Sequence, residues 1–305
     1  MPIPQTYYLN APSLASATAI FLDPSLTICA PDGIYSDGVI TREQNACVLY
    51  PQVICPTCGI VCGQESPIIG GQGYYSVNIN VGSTTGAIII RFKPFDIPTG
   101  IQALFNSTVY NRFSSSAFEL TAAAPGVPIY LGNLANDCGL VAGSPFILNK
   151  YIYNGSTFIP TGSTQSVSIG SSQLKLTAGD PDRCIMVIPK TSASPTDLQF
   201  TIIGPCENDS FNLAVNCPIK LPSFNSTAAG ETNVLCSMTI DSLFFSASVN
   251  GDGYILGLYD FIFLDENGEF PIPDGYYRCP AHLTSPNDTI KVLNGIIVEI
   301  FQNCF

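Results

Sequence analysis

Polar and apolar residues alternate with a period of two through much of this chain. Tyr75, Val77, Ile79 and Val81 alternate with Ser76, Asn78 and Asn80, and Leu198, Phe200 and Ile202 alternate with Gln199 and Thr201. Leu174 and Leu176 flank Lys175. Successive side chains of a strand point to opposite faces, so this spacing predicts strands with one buried face. The continuous apolar runs Ala87 to Ile90 and Ile185 to Ile188 predict strands buried on both faces. Apolar spacing of three and four is never sustained, and 24 prolines and 26 glycines interrupt the chain every few residues. Helices are therefore not expected. Short strands separated by turn signals point to an all-β fold built from sandwiches.

Two distant stretches repeat each other. Ile20-Phe21-Leu22-Asp23 is followed by Pro31-Asp32-Gly33-Ile34-Tyr35, and Ile262-Phe263-Leu264-Asp265 by Pro273-Asp274-Gly275-Tyr276-Tyr277. At one constant offset the two runs differ only at Ile34 against Tyr276. The shared residues are an apolar strand end and a Pro-Asp-Gly turn, in which proline presets φ and glycine supplies a positive φ. These are scaffold residues, and they predict one small β-module used twice around a different centre. Residues 1–72 form the N-terminal module with its cysteine cluster. Residues 73–217 form a central jelly-roll-like sandwich, opening with a hairpin over Gly82-Ser83-Thr84-Thr85-Gly86. Residues 218–305 form the related C-terminal module.

Composition narrows the setting. Only 11% of residues are charged, against roughly 25% in an ordinary soluble domain. The polar surface is then mostly Ser, Thr, Asn and Gln, which tolerates contact with other copies of the chain. Eleven Lys and Arg against 23 Asp and Glu give a net charge of −12. Without basic clusters to displace counterions, nucleic acid is excluded as a partner. Docking on anionic membranes is disfavoured for the same reason. No apolar run reaches the length of a membrane span. Met1-Pro2-Ile3-Pro4-Gln5 shows no basic region leading into an apolar run, so no signal peptide is expected.

Twelve cysteines complicate that picture: Cys29, Cys47, Cys55, Cys58, Cys62, Cys138, Cys184, Cys206, Cys217, Cys236, Cys279 and Cys304. Such a count suggests disulfides in an oxidising setting. Cys55-Pro56-Thr57-Cys58 followed by Cys62 is the strongest local constellation. Structural disulfides or free thiols are the favoured reading. Zinc held by Cys55, Cys58 and Cys62 with Cys47 or Cys29 is the lesser alternative, since no second Cys-x-x-Cys exists. A redox pair is the least favoured, because no helix is expected after the motif. No other cofactor is expected. Five Asn-x-Ser/Thr sequons, at Asn106, Asn154, Asn208, Asn225 and Asn287, carry little weight without a signal peptide.

Candidate catalytic chemistry is thin. His282 is the single histidine, and nothing near it resembles a nucleophile elbow. It reads as an exposed loop residue. Asp180, Asp182, Asp260 and Asp265 are candidates for paired carboxylates, but sequence places no two of them at a working distance. Asp32 and Asp274 read as turn residues that bond the backbone. Asn250-Gly251-Asp252-Gly253 and Asp265-Glu266-Asn267-Gly268-Glu269 are similar to calcium loops but lack the full ligand pattern, and read as hairpin turns. No catalytic residue is assigned, and the chain is not expected to be an enzyme.

A family resemblance enters on specific residues. Tyr7-Tyr8-Leu9-Asn10, Ala17-Thr18-Ala19-Ile20, Leu26-Thr27, Ala30-Pro31-Asp32-Gly33, Tyr35-Ser36-Asp37-Gly38 and Cys55-Pro56-Thr57-Cys58 resemble modules of virion structural proteins in tailed bacteriophages, especially those of Bacteroidetes-type or aquatic hosts. Gly86-Ala87-Ile88-Ile89-Ile90-Arg91-Phe92 and Ile97-Pro98-Thr99-Gly100-Ile101 are similar to the jelly-roll-like sandwiches of such proteins. The resemblance implies an external virion component, such as a tail or baseplate appendage, a fibre-associated protein or a head decoration. Its partners would be other virion proteins and copies of itself. Such a protein folds in the bacterial cytoplasm and meets oxidant only after lysis, which reconciles the cysteines with the missing signal. The alternative is a receptor- or glycan-binding adhesin on a virion or cell surface. Fourteen Tyr and 18 Phe suit sugar platforms, and the absence of Trp weakens that reading.

Overall fold

The computed structural model describes residues 6–36, 40–50, 53–54, 60–63, 68–95, 97–114, 129–133, 138, 143–155, 157–170, 174–177, 185–230, 235–248, 255–279 and 289–301. Among these residues the chain is all-β, and its one helical segment is the single 3₁₀ turn Leu235–Ser237.

The N-terminal module holds six short strands: β1 (Tyr8–Leu9), β2 (Ile20–Phe21), β3 (Gly33–Ser36), β4 (Ile40–Asn45), β5 (Val48–Leu49) and β6 (Val53–Ile54). β1 pairs with β2, while β3, β4, β5 and β6 form a second small sheet. Leu14, Ala17, Ile20, Ala30 and Leu49 close a core of the module's own. At its centre Gln44 is fully buried. Its amide accepts from Ile20 N at 2.6 Å and donates to the Ile20 and Ala30 carbonyls at 3.1 and 2.9 Å, so no buried polar atom is left bare.

The centre is a two-sheet sandwich. Its strands are β7 (Ile60–Val61), β8 (Ile68–Gly70), β9 (Gly73–Asn80), β10 (Gly86–Lys93), β11 (Thr99–Phe105), β12 (Thr108–Tyr110) and β13 (Ile129–Asn133). They continue with β14 (Pro145–Tyr153), β15 (Phe158–Ser168), β16 (Leu174–Thr177), β17 (Ile185–Lys190), β18 (Asp197–Gly204) and β19 (Phe211–Val215). One sheet runs β17-β10-β19-β8. The other runs β15-β14-β9-β18-β11-β13-β16, with β12 added on β11 and β7 on β9. Val77, Ile79, Ile101 and Phe200 from the larger sheet meet Ile88, Ile90, Phe92 and Leu213 from the smaller one in a continuous core. The period-two residues Tyr75, Val77, Ile79 and Val81 are all buried there, as the pattern requires.

The expected hairpin over Gly82–Gly86 is not formed. β9 already has β18 and β14 along its edges, so β10 finds no vacancy beside it. The loop instead crosses to the facing sheet, and Val81 and Ile88 both enter the core between sheets. The glycine-rich stretch at residues 70–73 is a second crossing of the same kind, linking β8 in the smaller sheet to β9 in the larger.

The C-terminal module is one sheet of β20 (Ser223–Ser226), β21 (Ser242–Ala247), β22 (Phe261–Phe263), β23 (Gly275–Arg278), β24 (Thr289–Leu293) and β25 (Ile296–Phe301), in the order β20-β21-β22-β25-β24-β23. One face builds its own core around Phe244, Ile262, Tyr277 and Ile290. The other face lies on the outer surface of β10 and β17, where Ala87, Ile89 and Ile185 meet Ala247, Phe261, Phe263 and Ile296. This second layer explains why the runs Ala87–Ile90 and Ile185–Ile188 have no polar alternation: both their faces are covered.

Candidate functional site

The duplicated module is the most organised feature outside the sandwich core, and its two copies share the hydrogen bonds of their aspartate turns. After β2, the Asp23 carboxylate accepts from Thr27 N at 3.0 Å and Ile28 N at 2.7 Å. After β22, Asp265 accepts from Glu269 N at 3.0 Å and Phe270 N at 2.8 Å, the same positions of the repeat. The Ile28 N–H, the strongest of these donors, holds the Asp23 carboxyl below its ordinary range. Backbone bonds close both turns: Leu22 N to Ile28 O at 2.8 Å, and Leu264 N to Phe270 O at 2.7 Å. The turn read at residues 265–269 is therefore formed, with its aspartate committed to backbone N–H groups.

The Pro-Asp-Gly runs do more than turn the chain. The Asp32 carboxylate accepts from Ala46 N at 2.8 Å, at the tip of the β4–β5 hairpin, and Asp274 accepts from Asn294 N at the tip of β24–β25. Each aspartate thus fastens a turn to a distant hairpin rather than to its own loop. Glycine behaves differently from expectation. In both copies it is the first residue of a strand, and the expected positive φ is found at Gly275 (φ +155°) but not at Gly33. Both hairpin tips have two consecutive left-handed residues, Ala46 and Cys47 in one copy, Asn294 and Gly295 in the other.

One difference between the copies is chemical. A side chain at Gly295 would run into Pro271 Cβ, so the hairpin tip and the turn strand lie in contact. The equivalent residues of the first module are Cys47 and Cys29, and they form a disulfide. A close approach held by packing in one copy is held covalently in the other.

Docking of the C-terminal copy relies on Gly268. It has φ +74°, and a Cβ there would sit 2.8 Å from Val187 Cγ1 of β17. The turn tip is therefore pressed onto the sandwich, and only glycine meets both requirements. Beside this contact lies a cleft of about 360 Å³ between sandwich and module, lined by Tyr110, Arg112, Met186, Phe261, Phe263 and Glu269 among others. The Arg112 guanidinium stacks 5.1 Å from the Phe261 ring centre, and its buried Nη2 has no hydrogen-bond partner among the described residues. Burial lowers the Arg112 pKa, and Asp274 opposes that shift. Burial, with Glu269 nearby, raises that of Tyr110.

The remaining sequence candidates do not converge. His282, Asp180, Asp182, Cys55, Cys58 and the 250–253 turn lie outside the described residues. Asp260 is buried and accepts from Gly257 N at 2.8 Å, closing its own turn. The four-sulfur set is not brought together: Cys47 is bonded to Cys29, and Cys62 to Cys217 at the far end of the sandwich. A third bridge joins Cys138 to Cys206.

Asp209 escaped the sequence reading. It is 6% exposed, accepts from Thr99 Oγ1 at 2.9 Å, and its Oδ2 has no partner among the described residues. Burial pushes its pKa up to about 8, against the hydrogen bonds from Thr99 and Ser210. Its setting, Asn208-Asp209-Ser210, reads as a polar loop, and no local signal marks it as interior.

Comparison with protein-family models, curated proteins and solved structures finds no match for this chain.

Proposed function

We propose that this protein is a non-enzymatic structural component of a phage particle, assembling on the particle exterior through its terminal β-modules. The carrying observation is that the duplicated module is a docking device: its C-terminal copy seals the outer face of a sandwich sheet, leaving Ala87, Ile89, Ile185 and Ile296 at most 4% exposed. Low charge supports the same reading, because a surface with few charges packs against copies without desolvating many ions. The bridges Cys29–Cys47, Cys62–Cys217 and Cys138–Cys206 suit a protein that works in an oxidising exterior. Asp23, Asp32, Asp265 and Asp274 spend their carboxylates on backbone N–H groups, which supports a scaffold role for the conspicuous acids of the repeat.

Quantitative mass spectrometry of purified particles, with the chain located by electron cryomicroscopy, tests this. Several copies per particle at fixed positions are expected. Absence from particles, or glycan cleavage by the purified chain, would overturn it.

A second reading, a glycan-binding attachment protein, draws on the cleft beside Phe261. Its volume falls in the range of small-ligand sites, and it combines apolar walls with Tyr110, Arg112 and Glu269. Binding of a host-surface glycan that is lost in Arg112→Gln would favour this reading.

A further inference from the structure

The N-terminal module carries a counterpart of the face with which the C-terminal module docks, with Leu26 in place of Gly268, and leaves most of it exposed. Phe21 corresponds to Phe263, Leu26 to Gly268 and Val48 to Ile296, while Tyr50 takes the place of Val298. In the docked module Phe263 is 4% exposed and Ile296 1%. In the N-terminal module Val48 is 56% exposed, Tyr50 49% and Leu26 37%. The position equivalent to Ile28 draws the boundary of the face. Ile28 and Phe270 are both 57% exposed, so this position stays outside the contact even when the module is docked.

We infer that the Phe21–Leu26–Val48–Tyr50 face, formed by β2, the turn after it and the end of β5, is a self-association surface, packed against the same face of a second copy of this chain. The inference deepens the assembly role proposed above, and rests on it only for the purpose of the association. Three observations select the second copy. The docked module shows that this face takes an apolar sheet surface as its neighbour. On another copy, the β10–β17 surface that would serve is already covered by that copy's own C-terminal module. The N-terminal face is an apolar surface that a second copy offers free, and a self-complementary patch closes as a two-fold dimer. All four residues are uncharged in a chain of net charge −12, so copies approach here with the least repulsion. The four residues expose a few hundred Å² per copy, less than the roughly 1,200 Å² in total of a standard specific interface, so the dimer is weak and concentration-dependent.

Sedimentation equilibrium of the full-length, disulfide-intact chain tests this, with wild type, Val48→Lys and Ile28→Lys compared over a wide concentration range. Wild type and Ile28→Lys are expected to dimerise alike, with little dependence on salt. Val48→Lys is expected to weaken the dimer at least tenfold. Methyl chemical shifts of Leu26 and Val48 in the wild-type chain, followed by dilution, give a second readout that needs no variant. A chain monomeric throughout, a dimer indifferent to Val48→Lys, or methyl shifts that do not move on dilution would overturn the inference. Presence of the chain in particles alongside a strictly monomeric chain refutes this inference alone. A Val48-dependent dimer from a chain absent from particles refutes the virion reading alone.

Discussion

The Tyr277 hydroxyl donates to the carbonyl oxygen of Pro273 at 2.7 Å, four residues back along the chain. Tyr35 makes the same bond to Pro31 in the other module. The tyrosine thereby spans the Pro-Asp-Gly bend and fixes the angle at which the next strand leaves it. Tyr277 is 1% exposed, and burial pushes its pKa up to about 12, so the hydroxyl keeps its proton through the working range. Tyr277→Phe should cost about 1 kcal/mol in urea unfolding, the usual net worth of such a bond. Tyr35→Phe should cost less, because its half-exposed setting lets water satisfy the Pro31 carbonyl.

Asp209 sets a pH dependence of definite sign. Its pKa is about 8 in the fold against 3.8 for the ordinary side chain, so the folded protein holds a proton that the unfolded chain releases. Its contribution is therefore fully favourable below about pH 4, declines as pH rises, and levels above about 8. Urea titrations at pH 5 and pH 8 should differ by on the order of 3 kcal/mol in the wild type from this group. Asp209→Asn, neutral throughout, should remove most of that difference.

Exchanging equivalent turn residues should have unequal effects. Gly268→Leu puts a side chain where Val187 Cγ1 already lies and forces a left-handed φ on it, and is expected to cost about 3 kcal/mol and loosen the C-terminal module. Leu26→Gly should be close to neutral. Leu26 already bears φ +57°, so relief of that strain offsets the greater freedom of glycine in the unfolded chain. Thermal melts of the two variants compare them directly.

The Cys62–Cys217 bridge spans 155 residues and joins the loop after β7 to the loop after β19, drawing the first and last strands of the sandwich together. Loop-closure entropy for so long a span gives about 5 kcal/mol as an upper figure. Cys62→Ser should lower the denaturant midpoint accordingly. Cys29→Ser, which opens a loop of 18 residues, should cost less and affect mainly the N-terminal module.

Local chemistry was legible and long-range partnership was not. The alternation from Tyr75 to Val81 and the apolar runs at Ile88 and Ile185 report their own burial, because each residue's face is set by its neighbours in sequence. The matched turns were legible because Asp23 and Asp265 bond N–H groups four and five residues on, whereas the hairpin tips that Asp32 and Asp274 reach lie 14 and 20 residues away and were not. The Gly82–Gly86 loop announced a turn but not the sheet that receives the next strand, since that depends on which edges β14 and β18 have filled. Cys62 was grouped with Cys55 and Cys58 by proximity, whereas its partner Cys217 is brought to it only by the closed sandwich. Asp209 takes its hydrogen bond from Thr99, 110 positions away across the fold, and no window of sequence contains both.

Because the cover of the β10–β17 face comes from the end of the chain, synthesis runs through a vulnerable interval. Ala87, Ile89, Ile185 and Val187 have all been made once synthesis reaches residue 187, but Phe261, Phe263 and Ile296 follow much later. At ordinary translation rates the gap lasts roughly 5–20 s, during which an apolar sheet face stands open to other nascent chains. A product halted before Phe261 never closes that face, so truncated chains should be the first to be captured by chaperones or to aggregate.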